Sequence, residues 1–363
     1  MASVYLVPGF FGFANLGDVR YFGHVERWLA RRLPDHAIHV VVTRPTASLP
    51  LRAARLARTV AETSAPDEPV HLVGHSSGGL DSRLLVSPGV RLPDVDDPDR
   101  LARRVGAVVT VATPHWGTPS ARFFTTLQGQ RVLRLLSVAT LSIVRHGEVP
   151  PALILRLARR LAGQAAEPDL LDELYTSLLA EFSVDRRAAV ERFFAEVGDD
   201  VALLEQLTPG AMQAFNAALY DRPAVRYGSV VTRARRPRLF DEALRAGLSP
   251  YRQATSLVYR ACWHLASGDT PVAPLLAAQA DALRRAWGEA PLPAANDGMV
   301  PTLSQVHGRV LHAVDADHLD VLGHYGAAAA PVAHHDWLAT GTGYDDAAFR
   351  DTWEAVAAFL EAS

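Results

Sequence analysis

The segment Val70-His71-Leu72-Val73-Gly74-His75-Ser76-Ser77-Gly78-Gly79-Leu80 decides how the rest of the chain is read. An apolar, β-prone run meets Gly74-His75-Ser76-Ser77-Gly78, and a helix-compatible run follows. This is the strand–serine–helix turn written G-x-S-x-G, in which the serine stands on a sharp, strained corner with its hydroxyl clear of the sheet. Gly74 and Gly78 omit side chains that would crowd that corner. Ser76 is therefore the candidate nucleophile, and the backbone N–H of Ser77, at the helix start, can face an oxyanion. An ordinary βα turn can carry the same five residues, so the surrounding pattern has to carry the reading.

That pattern alternates. Ser3–Val7 reads as a short buried strand ending in the loop Pro8-Gly9-Phe10-Phe11-Gly12. A glycine-containing loop after an early strand is where a second oxyanion donor belongs, and the N–H of Phe10 is the candidate. Val19, Phe22, Val25, Leu29 and Leu33 recur at helical spacing, Ala37–Val42 reads as a strand, and Leu51–Thr63 as an amphipathic helix. After the serine segment comes a polar loop over Ser87–Arg100, then a strand over Val105–Ala112 that runs into Thr113-Pro114-His115-Trp116-Gly117-Thr118. Strands alternating with helices imply an α/β fold, a mostly parallel sheet with helices on both faces. From Ala121 to Gln206 only helical spacing is visible, which predicts a helical insertion placed as a cap over the carboxyl ends of the strands. The core is expected in 1–120 and 207–363, with 239–290 a candidate addition to the cap. Within the later half, strands are expected over Ala224–Thr232 and Gly308–Val314, and a last helix within Tyr344–Leu360.

Composition narrows the classes of function. The 363 residues are 49% hydrophobic, enough for one large domain with an insertion or for two domains. A formal charge of −3, from 36 basic and 39 acidic residues without a basic block, argues against a nucleic-acid partner. The single cysteine, Cys262, allows no intrachain disulfide and no multi-cysteine metal site; between Ala261 and Trp263 it reads as a buried small hydrophobe. The chain enters a strand directly, without a signal-peptide pattern, which leads to the expectation of a cytoplasmic protein, or of an exported one whose leader was trimmed. The longest uncharged apolar run, Leu135–Val144, is too short to span a bilayer.

A serine hydroxyl needs an imidazole to take its proton and a carboxylate to orient that imidazole. With a G-x-S-x-G serine, the partners follow in the order acid, then histidine. Asp297, in the turn cluster Asn296-Asp297-Gly298, fits the acid, and His318, just beyond the last strand, fits the base. The rivals of His318 are His307, His312 (within the strand), His324, His334 and His335; those of Asp297 are Asp315, Asp317 and Asp320. His75 and His115 read as structural rather than catalytic.

Taken together, these segments resemble the bacterial triacylglycerol lipases of the α/β-hydrolase fold, of the Pseudomonas/Burkholderia and staphylococcal types. The resemblance rests on Val7-Pro8-Gly9-Phe10, Gly74 to Leu80 with Ser82-Arg83, Thr113 to Thr118, Leu207-Thr208-Pro209-Gly210 with Phe215-Asn216, Asn296 to Val300, and Asp317-His318-Leu319-Asp320. It implies Ser76 as nucleophile, Asp297 as acid, His318 as base, Phe10 and Ser77 as oxyanion donors, and a mobile helical lid within 121–206. No organic cofactor is implied. Many members hold a structural calcium near the histidine loop, and Asp320 matches one ligand position. His324 stands where the family often has a glutamine, and Pro8 stands where it usually has a histidine. The expected activity is hydrolysis of acyl esters, a lipase or esterase acting on small-molecule or lipid esters with transient lipid contact through the cap. An acyltransferase or thioesterase on the same three residues, and a non-catalytic binding protein of this fold, are the alternatives. Oligomeric state is not readable.

Overall fold

Six strands form one sheet: β1 (Ala2–Val7), β2 (His36–Val40), β3 (Val70–His75), β4 (Val105–Val111), β5 (Arg226–Arg233) and β6 (Arg309–Asp315). Their order is β2-β1-β3-β4-β5-β6, and every neighbouring pair is parallel. The computed structural model describes residues 2–10, 21–44, 46–146, 202–237, 249–326 and 335–362, with 154–155, 176, 179, 187–188 and 191 between 147 and 201. β1 and β3 are buried along their whole length. That explains their near-continuous apolar runs, because a parallel strand covered on both faces has no solvent side to keep polar.

The strand order reverses direction once. From β1 the chain steps outward to β2, and from β3 onward it steps the other way. The crevice at such a reversal, outside the carboxyl ends of the strands, is where open α/β sheets place ligands. Here β1 and β3 end side by side, with Val7 opposite Gly74. The Pro8-Gly9-Phe10 loop and Ser76 therefore leave the sheet at neighbouring points.

Helices cover the sheet. Near the amino-terminal half lie α1 (Gly23–Arg32), α2 (Leu49–Thr63), α3 (Ser77–Val86) and the short α4 (Pro98–Ala102). α4 falls in the stretch read as a loop; it forms because the Asp97 side chain accepts from Arg100 N and Pro98 pre-sets the first turn. Then come α5 (Ser120–Phe124), α6 (Leu127–His146), α7 (Ala202–Gln206), α8 (Pro209–Ala218), α9 (Pro250–Ala266), α10 (Ala277–Trp287) and α11 (Asp346–Glu361). Ser249 caps α9 by accepting from Arg252 N, and Pro250 opens its first turn. α11 closes the fold against α1, with Trp353 buried and its indole N–H donating to Val321 O at 2.7 Å. Arg32 of α1 forks onto Glu354 and Glu361 of α11.

Of the cap expected over 121–206, α5, α6, α7 and a few single positions are described; the rest lies outside the described residues. Leu133, Leu135, Leu136, Val138 and Ala139 of α6 are buried in the same apolar cluster as the sheet. The first half of the apolar run Leu135–Val144 is thus spent on packing. Among the described residues, no helix is long and apolar enough to cross a membrane.

Leu72, at the centre of β3, has no exposure, whereas Leu127 is 82% exposed. Leu72→Ala should cost about 2–5 kcal/mol from lost transfer energy and the cavity left behind. Leu127→Ala should change stability by no more than about 0.5 kcal/mol. Equilibrium denaturant unfolding of both variants checks the contrast; equal losses would contradict the burial pattern.

Candidate active site

Ser76 sits on the corner its glycines anticipated. Its φ of +54° and ψ of −131° lie outside the regions open to an ordinary L-residue. Neighbouring structure holds it there: its N–H donates to Val111 O at 2.8 Å, and its carbonyl accepts from Gly79 N at 3.1 Å. A side chain at Gly74 would put Cβ 2.4 Å from the backbone of Gly78 and Gly79, and one at Gly78 would meet Val7 O at 2.1 Å. The first pair lets α3 fold back against β3; the second lets α3 sit on the end of β1.

The base and acid candidates meet directly. His318 Nδ1 lies 2.8 Å from Asp297 Oδ2, with the carboxylate fully buried and the histidine 2% exposed. The His318 backbone N–H also donates to Asp297 O, at 3.1 Å. A buried carboxylate is tolerable only when its lone pairs are filled. Oδ1 of Asp297 accepts from Met299 N at 2.9 Å and Val300 N at 2.7 Å. Oδ2 also accepts from Thr232 Oγ1 at 2.9 Å and Gln305 Nε2 at 3.3 Å.

The Pro8-Gly9-Phe10 loop packs on the serine. A Cβ at Gly9 would lie 2.5 Å from Ser76 Cβ and 3.0 Å from Ser76 Oγ. Pro8 O accepts from Arg52 Nη2 at 2.6 Å, and Arg52 Nη2 is 2.8 Å from Asp81 Oδ2, with no exposure on either side chain. Burial pushes the Asp81 carboxyl up to about 6 against the opposing pull of Arg52. Ser77, next in sequence to Ser76, is the first residue of α3, and Phe10 follows Gly9 on the loop and is buried.

The rivals are elsewhere. His307 pairs with Asp221 at 3.1 Å, His312 lies in β6, and His324 Nε2 donates to Tyr21 O at 3.2 Å. His334 lies outside the described residues. Asp315 binds Arg233 at 3.0 Å. His115 is buried, with Nε2 on Thr110 Oγ1 and Nδ1 on Arg83 Nη1, both at 3.1 Å. Burial keeps it neutral, well below the usual histidine range. Sequence reading missed Thr232, Gln305, Arg52 and Tyr21, none of which carries a local signal.

Neither a protein-family model nor a curated protein matches the sequence. Solved structures do. Lipase 1 from Pelosinus fermentans superposes with a TM-score of 0.57 at 16% identity, covering 100% of this chain and 99% of that one. The Staphylococcus hyicus lipase gives 0.54 at 17%, covering 99% and 95%. The metagenomic carboxyl esterase MGS0156 gives 0.54 at 18%, covering 99% and 75%. The chain has the α/β-hydrolase fold. Within that fold, the serine corner, the Asp297–His318 pair and the Gly9 loop gather at the carboxyl ends of β1, β3, β5 and β6.

Among the described residues, an acidic cluster lies beside this site. Asp317, Asp320 and Asp336 each offer an oxygen, all within 4.8 Å of one another. Asp317 Oδ1 accepts from Leu319 N and Asp320 N, both at 2.9 Å, and Asp320 Oδ2 accepts from Asp317 N at 2.8 Å and Thr342 Oγ1 at 2.9 Å. Asp317 Oδ2 is buried and unpartnered. Burial raises all three carboxyls, and the charge of Asp320 raises Asp317 and Asp336 further; Asp320 reaches about 7 and Asp336 about 8. Clustered hard oxygens with an orphaned buried lone pair suit calcium, which takes 6–8 oxygen ligands. Asp320, the ligand position that the resemblance implies, is one of the three carboxylates of this cluster.

The Arg52–Asp81 pair anchors Pro8 through a buried charge. Arg52→Met leaves the Asp81 carboxylate without its partner and should cost about 3–5 kcal/mol. Arg52→Met with Asp81→Leu should recover most of that loss, because no charge then stays buried alone. Denaturant midpoints of the two variants provide the check, and a double variant as unstable as the single one would contradict it.

Proposed function

We propose that the chain is a serine carboxylic-ester hydrolase working through an acyl-enzyme. The observation that carries this reading is the buried Asp297–His318 pair at 2.8 Å lying with a positive-φ Ser76 at the carboxyl end of one parallel sheet. Lipase and esterase names among the solved structures of like fold support it.

The roles follow from proton bookkeeping. A carboxylate only accepts, so Nδ1 of neutral His318 carries the proton shared with Asp297, and Nε2 keeps a lone pair. Nε2 takes the Ser76 proton as Oγ attacks the ester carbonyl. The tetrahedral oxyanion is held by the N–H groups of Phe10 and Ser77, the latter at the positive end of α3. Protonated His318 then hands its proton to the leaving alcohol, and water repeats the sequence on the acyl-enzyme. The charge that His318 acquires is met by Asp297, which five donors hold in place.

Residues 121–206 belong to the same proposal as a cap, with an ester substrate entering beneath it. A calcium ion on Asp317, Asp320 and Asp336 would brace the loop that carries His318, supplying charge balance and no step of the reaction.

Hydrolysis of p-nitrophenyl esters from acetate to palmitate tests the reading, and Ser76→Ala should lower turnover by about 10⁴-fold or more, as loss of such a nucleophile does. Activity that survives Ser76→Ala, or a whole series at background, overturns it. A rate that peaks at long chains makes the enzyme a lipase; a short-chain peak makes it an esterase. Calcium should raise Tm in the wild type and leave Tm unchanged in Asp317→Asn/Asp336→Asn; equal shifts in both would remove the metal from the proposal.

A further inference from the structure

Beneath Ser76 lies a chain of buried polar groups that the reaction does not use. Tyr21 is 2% exposed, and its hydroxyl lies 2.6 Å from His75 Nδ1. On the other side of the imidazole, His75 Nε2 lies 2.9 Å from the carbonyl oxygen of His318. The two histidine rings are 4.7 Å apart.

The direction of each bond is fixed by where protons can be. A carbonyl brings no proton, so His75 Nε2 carries one and donates it to His318 O. Burial, and then the neighbouring His318, hold His75 well below the usual histidine range, so the ring is neutral and has one proton only. Nδ1 is therefore an acceptor, and the Tyr21 hydroxyl donates to it. Burial keeps the phenol protonated. The result runs one way, from Tyr21 O–H to His75 Nδ1, and from His75 Nε2–H to His318 O. Bonds aligned head to tail polarise one another. Tyr21 is fixed at its own backbone as well, where its carbonyl accepts from His324 Nε2 at 3.2 Å.

The chain ends on the backbone of His318, the base of the proposed reaction, and passes through His75, the neighbour of Ser76. We propose that Tyr21 and His75 form a buried positioning relay that fixes the His318 loop relative to the strand end that carries Ser76. The proposal rests on the ester-hydrolase reading for its consequence, not for its geometry. Neither side chain reaches the reacting atoms; both act through the backbone of His318.

Three variants of the full chain test it, Tyr21→Phe, His75→Gln and His75→Leu, with thermal melts to confirm folding. The ¹⁵N spectrum of histidine-labelled protein reads the geometry directly. His75 should be neutral at pH 7 with its proton on Nε2, and its Nδ1 signal should move in Tyr21→Phe as the donor is lost. A proton on Nδ1, or an Nδ1 signal indifferent to Tyr21→Phe, overturns the relay whatever the activity. In kinetics, Tyr21→Phe and His75→Leu should each lower kcat by about tenfold or more with KM within about twofold, the pattern of misplaced rather than missing catalytic groups. His75→Gln keeps an amide N–H for the His318 carbonyl and should restore most of the rate. Tyr21→Phe combined with His75→Leu should be no slower than His75→Leu alone, since Tyr21 acts through His75. Wild-type kcat in both single variants, or losses that multiply in the double, would also overturn it. If His75→Leu does not fold, Tyr21→Phe and the spectrum decide. A wild type without Ser76-dependent turnover defeats the hydrolase reading, and the spectrum still decides the relay.

Discussion

The buried carboxylate of Asp297 is the constraint on which the carboxyl end of this sheet depends. An ionised carboxylate taken out of water costs several kcal/mol unless its lone pairs are occupied. Here five donors occupy them, and they come from separate parts of the chain: Thr232 at the end of β5, Met299 and Val300 in the turn after Asp297, Gln305 beyond it, and His318 after β6. Gln305 is itself oriented, because its Oε1 takes the Thr232 N–H at 2.7 Å and so leaves Nε2 toward Asp297. One charge therefore fixes the spacing of β5, the Asn296–Gln305 loop and the His318 loop together. Removing any donor leaves the charge short in a place water does not reach.

Much of this was legible in the sequence, for reasons that differ from element to element. The strands were visible because burial on both faces demands runs such as Val4–Val7 and Val70–Val73. The serine corner was visible because only glycine fits at Gly74 and Gly78, where a Cβ would strike backbone. The scattered short segments behind the family resemblance turn out to touch one another. Thr113 lies against Gly79, Asn216 Nδ2 donates to His115 O at 2.7 Å, and Thr118 Oγ1 donates to Met299 O at 2.6 Å. Together they form one contact surface behind the serine and the acid.

What stayed hidden is long-range pairing between residues with no local pattern. Arg52 and Asp81 are 29 positions apart, Tyr21 and His75 are 54 apart, and Thr232 and Gln305 are 73 apart. An arginine on an amphipathic helix ordinarily reads as solvated, and nothing within α2 distinguishes Arg52 from Arg55 or Arg58. Only the fold shows that Arg52 points inward to a carboxylate on α3. α4 was missed for the opposite reason: its five residues are too few for periodicity, and its cap and proline were absorbed into a polar loop. The apolar run in α6 is hydrophobic enough to line a substrate path, yet its first half is committed to the core. Hydrophobicity alone does not separate a residue that faces a ligand from one that faces its own protein.

The departure at Pro8 can now be placed physically. Proline brings no side-chain donor or acceptor, so whatever fixes the loop after β1 must hold its backbone. Arg52 does so by donating to Pro8 O at 2.6 Å, and Asp81 holds Arg52. Asp81 lies on α3, the helix whose first residue is Ser77 and whose N-cap is Ser76. The element that presents the serine thus also anchors, through one buried ion pair, the loop expected to face it. A shift of α3 carries the serine and the loop anchor together, so the distance between them is buffered against small movements of the sheet. The charge pair supplies that coupling at the expense of desolvation, which an apolar core at the same place would avoid but could not use to grip a carbonyl.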